Sequence, residues 1–173
     1  KLKWLSRFMP GFKFLVKHIL SKAQHWCENH IERDVLLGWG IEVVYVMPSY
    51  FGNTRLPITY FHSKPAKVYL STGKGRQKEY GFGIIEDIAD KCPKIEFHLY
   101  GDTWQTKHKN VIIHGRVPIE QMNAETENMQ CGLRLNDFDG FSEILAKAIL
   151  RGQYAISKIP YPYIPSFKNN KEL

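Results

Sequence analysis

The 173-residue chain has no long hydrophobic run. Nothing in it approaches the ~20 consecutive apolar residues that cross a bilayer. The stretch from Phe12 to Leu20 is broken by Lys13, Lys17 and His18, so it does not read as a signal-peptide core either. Cysteine is scarce, and Cys27, Cys92 and Cys131 are far apart. An odd count without CxxC or Cys/His ligand spacing excludes a disulfide framework and a structural zinc site. Three small semi-apolar side chains in a reducing, cytoplasmic setting fit best. The histidines are scattered: no pair has metal-ligand spacing, so no metal site is expected, and no Ser/His/Asp set can be assembled for a hydrolase. A Walker loop is absent, and the one GxG lacks the third glycine of a dinucleotide fingerprint. There is no initiator methionine, which suggests an excerpt or a processed product.

What is present describes a folded domain. Apolar residues make up 43% and charged residues 24%, close to globular averages, and the length suits one sizeable core rather than two. The net charge of +7 is uneven: Lys1, Lys3, Arg7, Lys13, Lys17 and Lys22 all precede the first acidic residue, Glu28. They alternate with Trp4, Phe8, Phe12 and Phe14, a mixture that suits the headgroup region of an anionic membrane. It suits equally a helix parted from a neighbouring domain. Nucleic acid is not an expected partner, because the basic excess is local and no RRM-like or helix-turn-helix signature accompanies it.

Apolar spacing through Ile19, Ala23, Trp26, Ile31 and Val35 predicts one helix over 14–37, ended by Gly38 and Gly40. A strand is expected over 41–47, and the Pro-, Gly- and Ser-containing segment 48–65 reads as a linker. Strands then alternate with helices: strands at 67–71, 95–100, 111–114, 131–135 and 154–157, and helices over 79–91, after Pro118, and over 142–151. Short loops between them imply a parallel α/β sheet covered on both faces. Residues 1–47, 48–65, 66–165 and 166–173 are therefore taken as an N-terminal remnant, a linker, a Rossmann-like domain and a tail.

Ligands of such sheets bind outside the carboxyl ends of the strands. Three loops there carry suitable groups. Gly73-Lys74-Gly75-Arg76-Gln77-Lys78 offers close backbone approach and three cations for a diphosphate, although alone it reads equally as a solvated basic turn. Asp139-Gly140-Phe141-Ser142 runs straight into a helix, whose free N–H groups and positive dipole end suit an anion; Asp139 or Ser142 could also simply cap that helix. Gly115-Arg116-Val117-Pro118 is a strand-to-helix bend able to meet a nucleobase edge. His98 and His114 sit at strand positions, where packing or hydrogen bonding is the ordinary role.

In order, the strand with its Gly/Lys/Arg loop, "KIEFHLYGD", "VIIHGRVPIEQM" and "CGLRLNDFDGFSEILAKAILRGQYAIS" resemble the C-terminal domain of GT-B-fold glycosyltransferases, especially the family-4 retaining group. "GWGIEVVYVMPSYF" resembles the passage from the acceptor domain into the interdomain linker. The resemblance implies the C-terminal, Rossmann-like half of a GT-B fold that grips a nucleoside-diphosphate sugar and transfers the sugar to a glycan or lipid acceptor hydroxyl. Retention of configuration and independence of metal or other cofactor are implied with it. Carried over, Arg76 and Lys78, with Lys74 as a competitor and Gly73 beside them, hold the donor diphosphate. Gly140, Phe141 and Ser142 present backbone N–H groups to it. Asp139 stands for the first Glu of the family's Glu-x7-Glu pattern, near the sugar, and Arg116 and Val117 face the nucleoside. The second Glu, which usually binds the ribose hydroxyls, falls on Lys147, a donor where the family has an acceptor. A nucleotide-sugar epimerase and a non-catalytic interaction module remain alternatives. A cytoplasmic protein is expected, with peripheral membrane contact through the basic N-terminus as a further reading.

Overall fold

The computed structural model describes residues 11–42, 44–59, 64–167 and 172–173. Lys1, Lys3 and Arg7 of the basic segment lie outside the described residues, as do positions 60–63 of the expected linker and 168–171 of the expected tail. The chain divides into two units, Lys1–Ser49 and Tyr50–Leu173.

In the first unit the single helix expected over 14–37 is two helices with a strand between: α1 (Phe12–Leu20), β1 (His25–Cys27) and α2 (His30–Gly38). The break has a local cause. Ser21 ends α1, its hydroxyl donating to His18 O at 3.0 Å. Asn29 then starts α2, its side chain accepting from Glu32 N at 3.0 Å while Glu32 Oε2 accepts from Glu28 N at 2.9 Å, a reciprocal N-terminal arrangement worth about 1 kcal/mol. The apolar period runs on through the interruption and hides it. β1 pairs in parallel with β2 (Val44–Val46), Trp26 opposite Tyr45.

The second unit is built on β3 (Ala66–Ser71), α3 (Phe82–Ala89), β4 (Ile95–Tyr100), β5 (Val111–Gly115), α4 (Ile119–Thr126), β6 (Cys131–Arg134), α5 (Glu143–Leu150) and β7 (Tyr154–Ser157). The five strands form one sheet in the order β5-β4-β3-β6-β7, every neighbouring pair parallel. This is the α/β sheet with flanking helices that the alternation implies. Segment 50–59 is tied to this unit: Thr59 N donates to Arg151 O at 2.8 Å, and Thr59 Oγ1 to Glu127 O at 2.5 Å. Phe167, assigned by sequence to the tail, is buried in the core.

The two faces of the sheet differ because side chains alternate along each strand. Val68, Leu70, Phe97, Leu99, Cys131 and Leu133 point to one face and pack with Phe82, Ile85 and Ile88 of α3. Each such side chain, fully buried, contributes about 1.5–3 kcal/mol. The opposite face carries Tyr69, His98 and Tyr100, all buried, and their polar ends are met from the second face by Gln153, His114 and Glu125. Gly132 lets α5 close onto β6: a Cβ there would stand 3.0 Å from Ala148 Cβ and 3.1 Å from Ile144 Cγ2.

Candidate functional site

β3, β4 and β5 are laid down outward in one direction, and β6 then returns to the other side of β3. The loops leaving the carboxyl ends of β3 and β6 therefore part and open a crevice. A cavity of about 250 Å³ lies there. Tyr69 and Ser71 of β3 and Arg134 of β6 form its base, α4 contributes Ile119, Met122 and Asn123, and α5 with its leading turn contributes Phe141, Ser142 and Lys147. A larger cavity of about 360 Å³ opens at the amino ends of the strands, between Ala66, Ile88, Ile95 and Tyr154. Its wall is almost wholly apolar and offers nothing to hold a phosphate.

The crevice is rich in cations. Arg134 donates through Nε to Asp139 Oδ2 at 2.6 Å and pairs with the same carboxylate through Nη2, while its guanidinium lies over the Tyr80 ring, 4.2 Å from the centroid. Lys147 Nζ contacts Glu143 Oε1 at 2.6 Å and Asn123 Oδ1 at 2.9 Å. Arg151, 2% exposed, donates to Thr126 Oγ1 at 3.1 Å and to Asn123 O at 3.0 Å at the end of α4. There it shares the Asn123 carbonyl with the backbone N–H of Glu127, which donates to it at 3.1 Å. Among the described residues no carboxylate pairs with Arg151, and its Nε has no partner. The lining carries, among the described residues, three cations, Arg134, Lys147 and Arg151, against two carboxylates, Asp139 and Glu143. A buried guanidinium without a counter-ion is costly, so the cavity favours an anionic guest.

The start of α5 points the same way. Ser142 is the residue that leads the helix, but its side chain makes no capping bond, and its buried Oγ has no partner. Of the two capping candidates at this turn, Ser142 therefore holds the position without filling the role. Gly140 and Phe141 are fixed by Tyr161, whose hydroxyl donates to Gly140 O and whose ring meets Phe141 edge to face at 5.5 Å.

Of the residues singled out by sequence, the structure brings Asp139, Phe141, Ser142 and Lys147 together around the cavity, with Gly140 in the same turn. Gly73, Lys74, Arg76 and Lys78 stand outside its lining and are exposed. Their loop is pinned through Asp102, which accepts from Gly75 N and from Gln77 Nε2, each at 2.7 Å. The backbone donors Gly75 and Thr103 hold the Asp102 carboxyl below its ordinary value. Arg76 makes a two-pronged pair with Glu79 and lies over Tyr80 at 4.7 Å, so Arg76 and Arg134 share one ring. Arg116 and Val117 follow the edge strand β5 and do not line the cavity; the nearest contribution from that turn is Ile119.

Arg134, Asn123 and Arg151 were not legible as site residues. Arg134 reads as the last residue of a strand, although a cation at a strand's carboxyl end beside the switch point is itself a signal. Arg151 is four residues beyond Lys147, which lies four beyond Glu143, a spacing that places all three on one face of α5. The histidines are structural in setting: His98 Nδ1 and His114 Nε2 bond at 2.8 Å, and His108 Nδ1 meets Asp90 at 2.8 Å. Burial pushes the Cys131 thiol up to about 12, which leaves it unreactive. Among the described residues no group of three or more His, Cys, Asp or Glu is placed to hold a metal ion.

No family model and no curated protein matches the sequence. Solved structures do resemble it. S. aureus TarM in complex with fondaparinux, α-GlcNAc-glycerol and UDP is 15% identical, with a TM-score of 0.64 over 90% of this chain and 37% of that one. The lipopolysaccharide outer core galactosyltransferase WaaB, in its apo form, is 17% identical, with a TM-score of 0.63 over 80% of this chain and 44% of its own. Sucrose-phosphate synthase from Thermosynechococcus elongatus is 13% identical, with a TM-score of 0.60 over 86% of this chain and 44% of its own. The chain thus has the Rossmann-like fold of GT-B glycosyltransferases and spans less than half the length of these proteins.

Proposed function

We propose that the second unit is the donor-binding domain of a glycosyltransferase, and that the crevice between β3 and β6 takes the diphosphate of a nucleoside-diphosphate sugar. The observation that carries this reading is the unpartnered, buried Ser142 Oγ at the start of α5, in a cavity it shares with Arg134, Lys147 and the uncompensated Arg151. Helix N–H groups and cationic side chains can stabilise a departing diphosphate without a metal, so metal-independent transfer is part of the proposal, as is retention of configuration. Lys74, Arg76 and Lys78 serve at the rim, steering the donor rather than gripping it. Arg116 and Val117 lie on the side from which the nucleoside enters.

The sugar passes to a hydroxyl of a glycan or lipid acceptor held by a partner domain. Contact with an anionic membrane through α1 is supported by Phe14, Leu15 and Ile19, exposed at 76%, 55% and 58% beside Lys17. A non-catalytic interaction module is favoured by one specific observation: Lys147 already closes a network with Asn123 and Glu143 where the family resemblance expects an acceptor for ribose.

Calorimetric titration with UDP, GDP, ADP, CDP and dTDP, without metal, tests the reading. Saturable binding of one nucleotide, weakened by Ser142→Val, is the expected result. Failure of all five to bind the folded protein would leave the interaction module.

A further inference from the structure

Arg134 and Asp139 are both inside the crevice, with side chains 12% and 23% exposed. The guanidinium is held on two different surfaces. Its Cζ lies over the Tyr80 ring, 4.2 Å from the centroid, and its Nε and Nη2 are turned to the Asp139 carboxylate. Stacking on a ring uses none of the edge donors. The edge partner can therefore be exchanged for another planar or tetrahedral oxyanion while the ring keeps the guanidinium in place. A phosphate is the natural competitor, since the Arg fork matches phosphate as well as it matches carboxylate. The helix start beside it, with the unpartnered Ser142 Oγ, also favours that phosphate over the carboxylate.

We propose that Asp139 is a resident placeholder for the donor diphosphate: the incoming phosphate displaces it from Arg134, and the freed carboxylate turns to the sugar. This deepens the donor-binding reading and rests on it. It gives Arg134, rather than the glycine- and lysine-rich loop, the main diphosphate contact. It also makes carboxylate access conditional on diphosphate binding, so that a free sugar finds Asp139 occupied. Arg76, matched to Glu79 on the same ring, is 50% exposed and outside the cavity lining, and makes no such exchange.

The two residues carry opposite predictions. Titrations with pyrophosphate, with UDP against UDP-glucose and with GDP against GDP-mannose are run on the wild-type chain and on Arg134→Gln, Arg134→Lys, Asp139→Asn and Arg76→Gln. Arg134→Gln is expected to weaken pyrophosphate and the nucleoside diphosphates about 10- to 100-fold, with Arg134→Lys intermediate. Asp139→Asn removes the competitor and is expected to tighten the same ligands about threefold or more, while the added affinity conferred by the sugar disappears. Arg76→Gln is expected to change binding less than threefold. Circular dichroism on each variant confirms the fold. Should the wild-type protein bind a nucleoside diphosphate while Asp139→Asn weakens or does not change it, the exchange is overturned and the donor-binding reading stands. Should no ligand bind the wild-type protein, both fall together.

Discussion

His98 and His114, on adjacent strands, face each other through Nδ1 and Nε2 at 2.8 Å, and the outer nitrogen of each meets a carboxylate, Glu96 at 3.4 Å and Glu125 at 3.1 Å. The pair is stacked, and the Tyr100 ring stacks on His114 in turn at 4.1 Å. Two rings joined this way share one proton between them, so charging both breaks their bond. Burial is the largest cause holding both imidazoles below the ordinary value of 6.5; for His98 the neighbouring His114 adds to it, whereas Glu125 pulls His114 the other way.

The stability consequence has a definite sign. A folded state that resists protonation binds fewer protons than the unfolded chain, so stability rises with pH where the two differ. The contribution is complete above the unfolded value near 6.5 and is lost as pH falls through the lower folded values. The melting temperature is expected to drop between pH 7 and pH 5, before Glu125 begins to titrate. His114→Gln is expected to flatten that slope while lowering stability throughout. Calorimetric scans across this range check it.

The close approach at Gly132 sets the position of α5. Gly132→Val would force Ala148 and Ile144 aside, an overpacking cost of about 1–3 kcal/mol. Because α5 carries Ser142 and Lys147 into the crevice, nucleotide binding is expected to weaken together with the urea midpoint. A loss of stability with binding untouched would show that the helix adjusts without moving its first turn.

Lys147→Glu replaces a donor by an acceptor at the position the family resemblance assigns to ribose. It places two carboxylates four residues apart on α5, costing about 0.5 kcal/mol. The expected outcome is a several-fold gain for UDP or GDP with no gain for pyrophosphate. Equal losses for all three would mean that Lys147 meets the phosphates instead.

Arg151 ties α5 to the end of α4 through Thr126 and Asn123. Arg151→Met keeps the bulk but forfeits both bonds, and the expected loss is about 2 kcal/mol. Thermal denaturation with and without saturating nucleotide separates this role from any contact with the ligand: a purely architectural Arg151 leaves the stabilisation by nucleotide unchanged.

The alternation of elements was legible because four of the five strands of the second unit, all but β6, are short runs with β-branched or aromatic residues and a clear stop, as Ile95–Tyr100 is before Gly101. The helix pair around β1 was not, because Ile19, Trp26, Ile31 and Val35 keep a helical period across a break made by Ser21 and Asn29. At the site, the turn from Asp139 to Ser142 was legible from its place before a helix. Arg134 was missed because pairing order decides which strand end borders the crevice, and that order is a long-range property. The same cause explains why Lys74, Arg76 and Lys78, attractive as a motif, stand outside the cavity lining: Asp102, more than twenty residues away, holds their loop.

The central strand β3 meets its partner β6 only through residues some sixty positions later, Val68 with Cys131 and Tyr69 with Gly132. On the ribosome, β3, β4 and β5 can therefore zip into a half-sheet while the other edge of β3 waits open. Pairings this far apart in sequence are slow to form and leave strand edges exposed in the meantime. The side of the crevice from Arg134 to Lys147 is added only in that last step, so a ribosome stalled before residue 131 would release a chain with three of its five strands and no binding site.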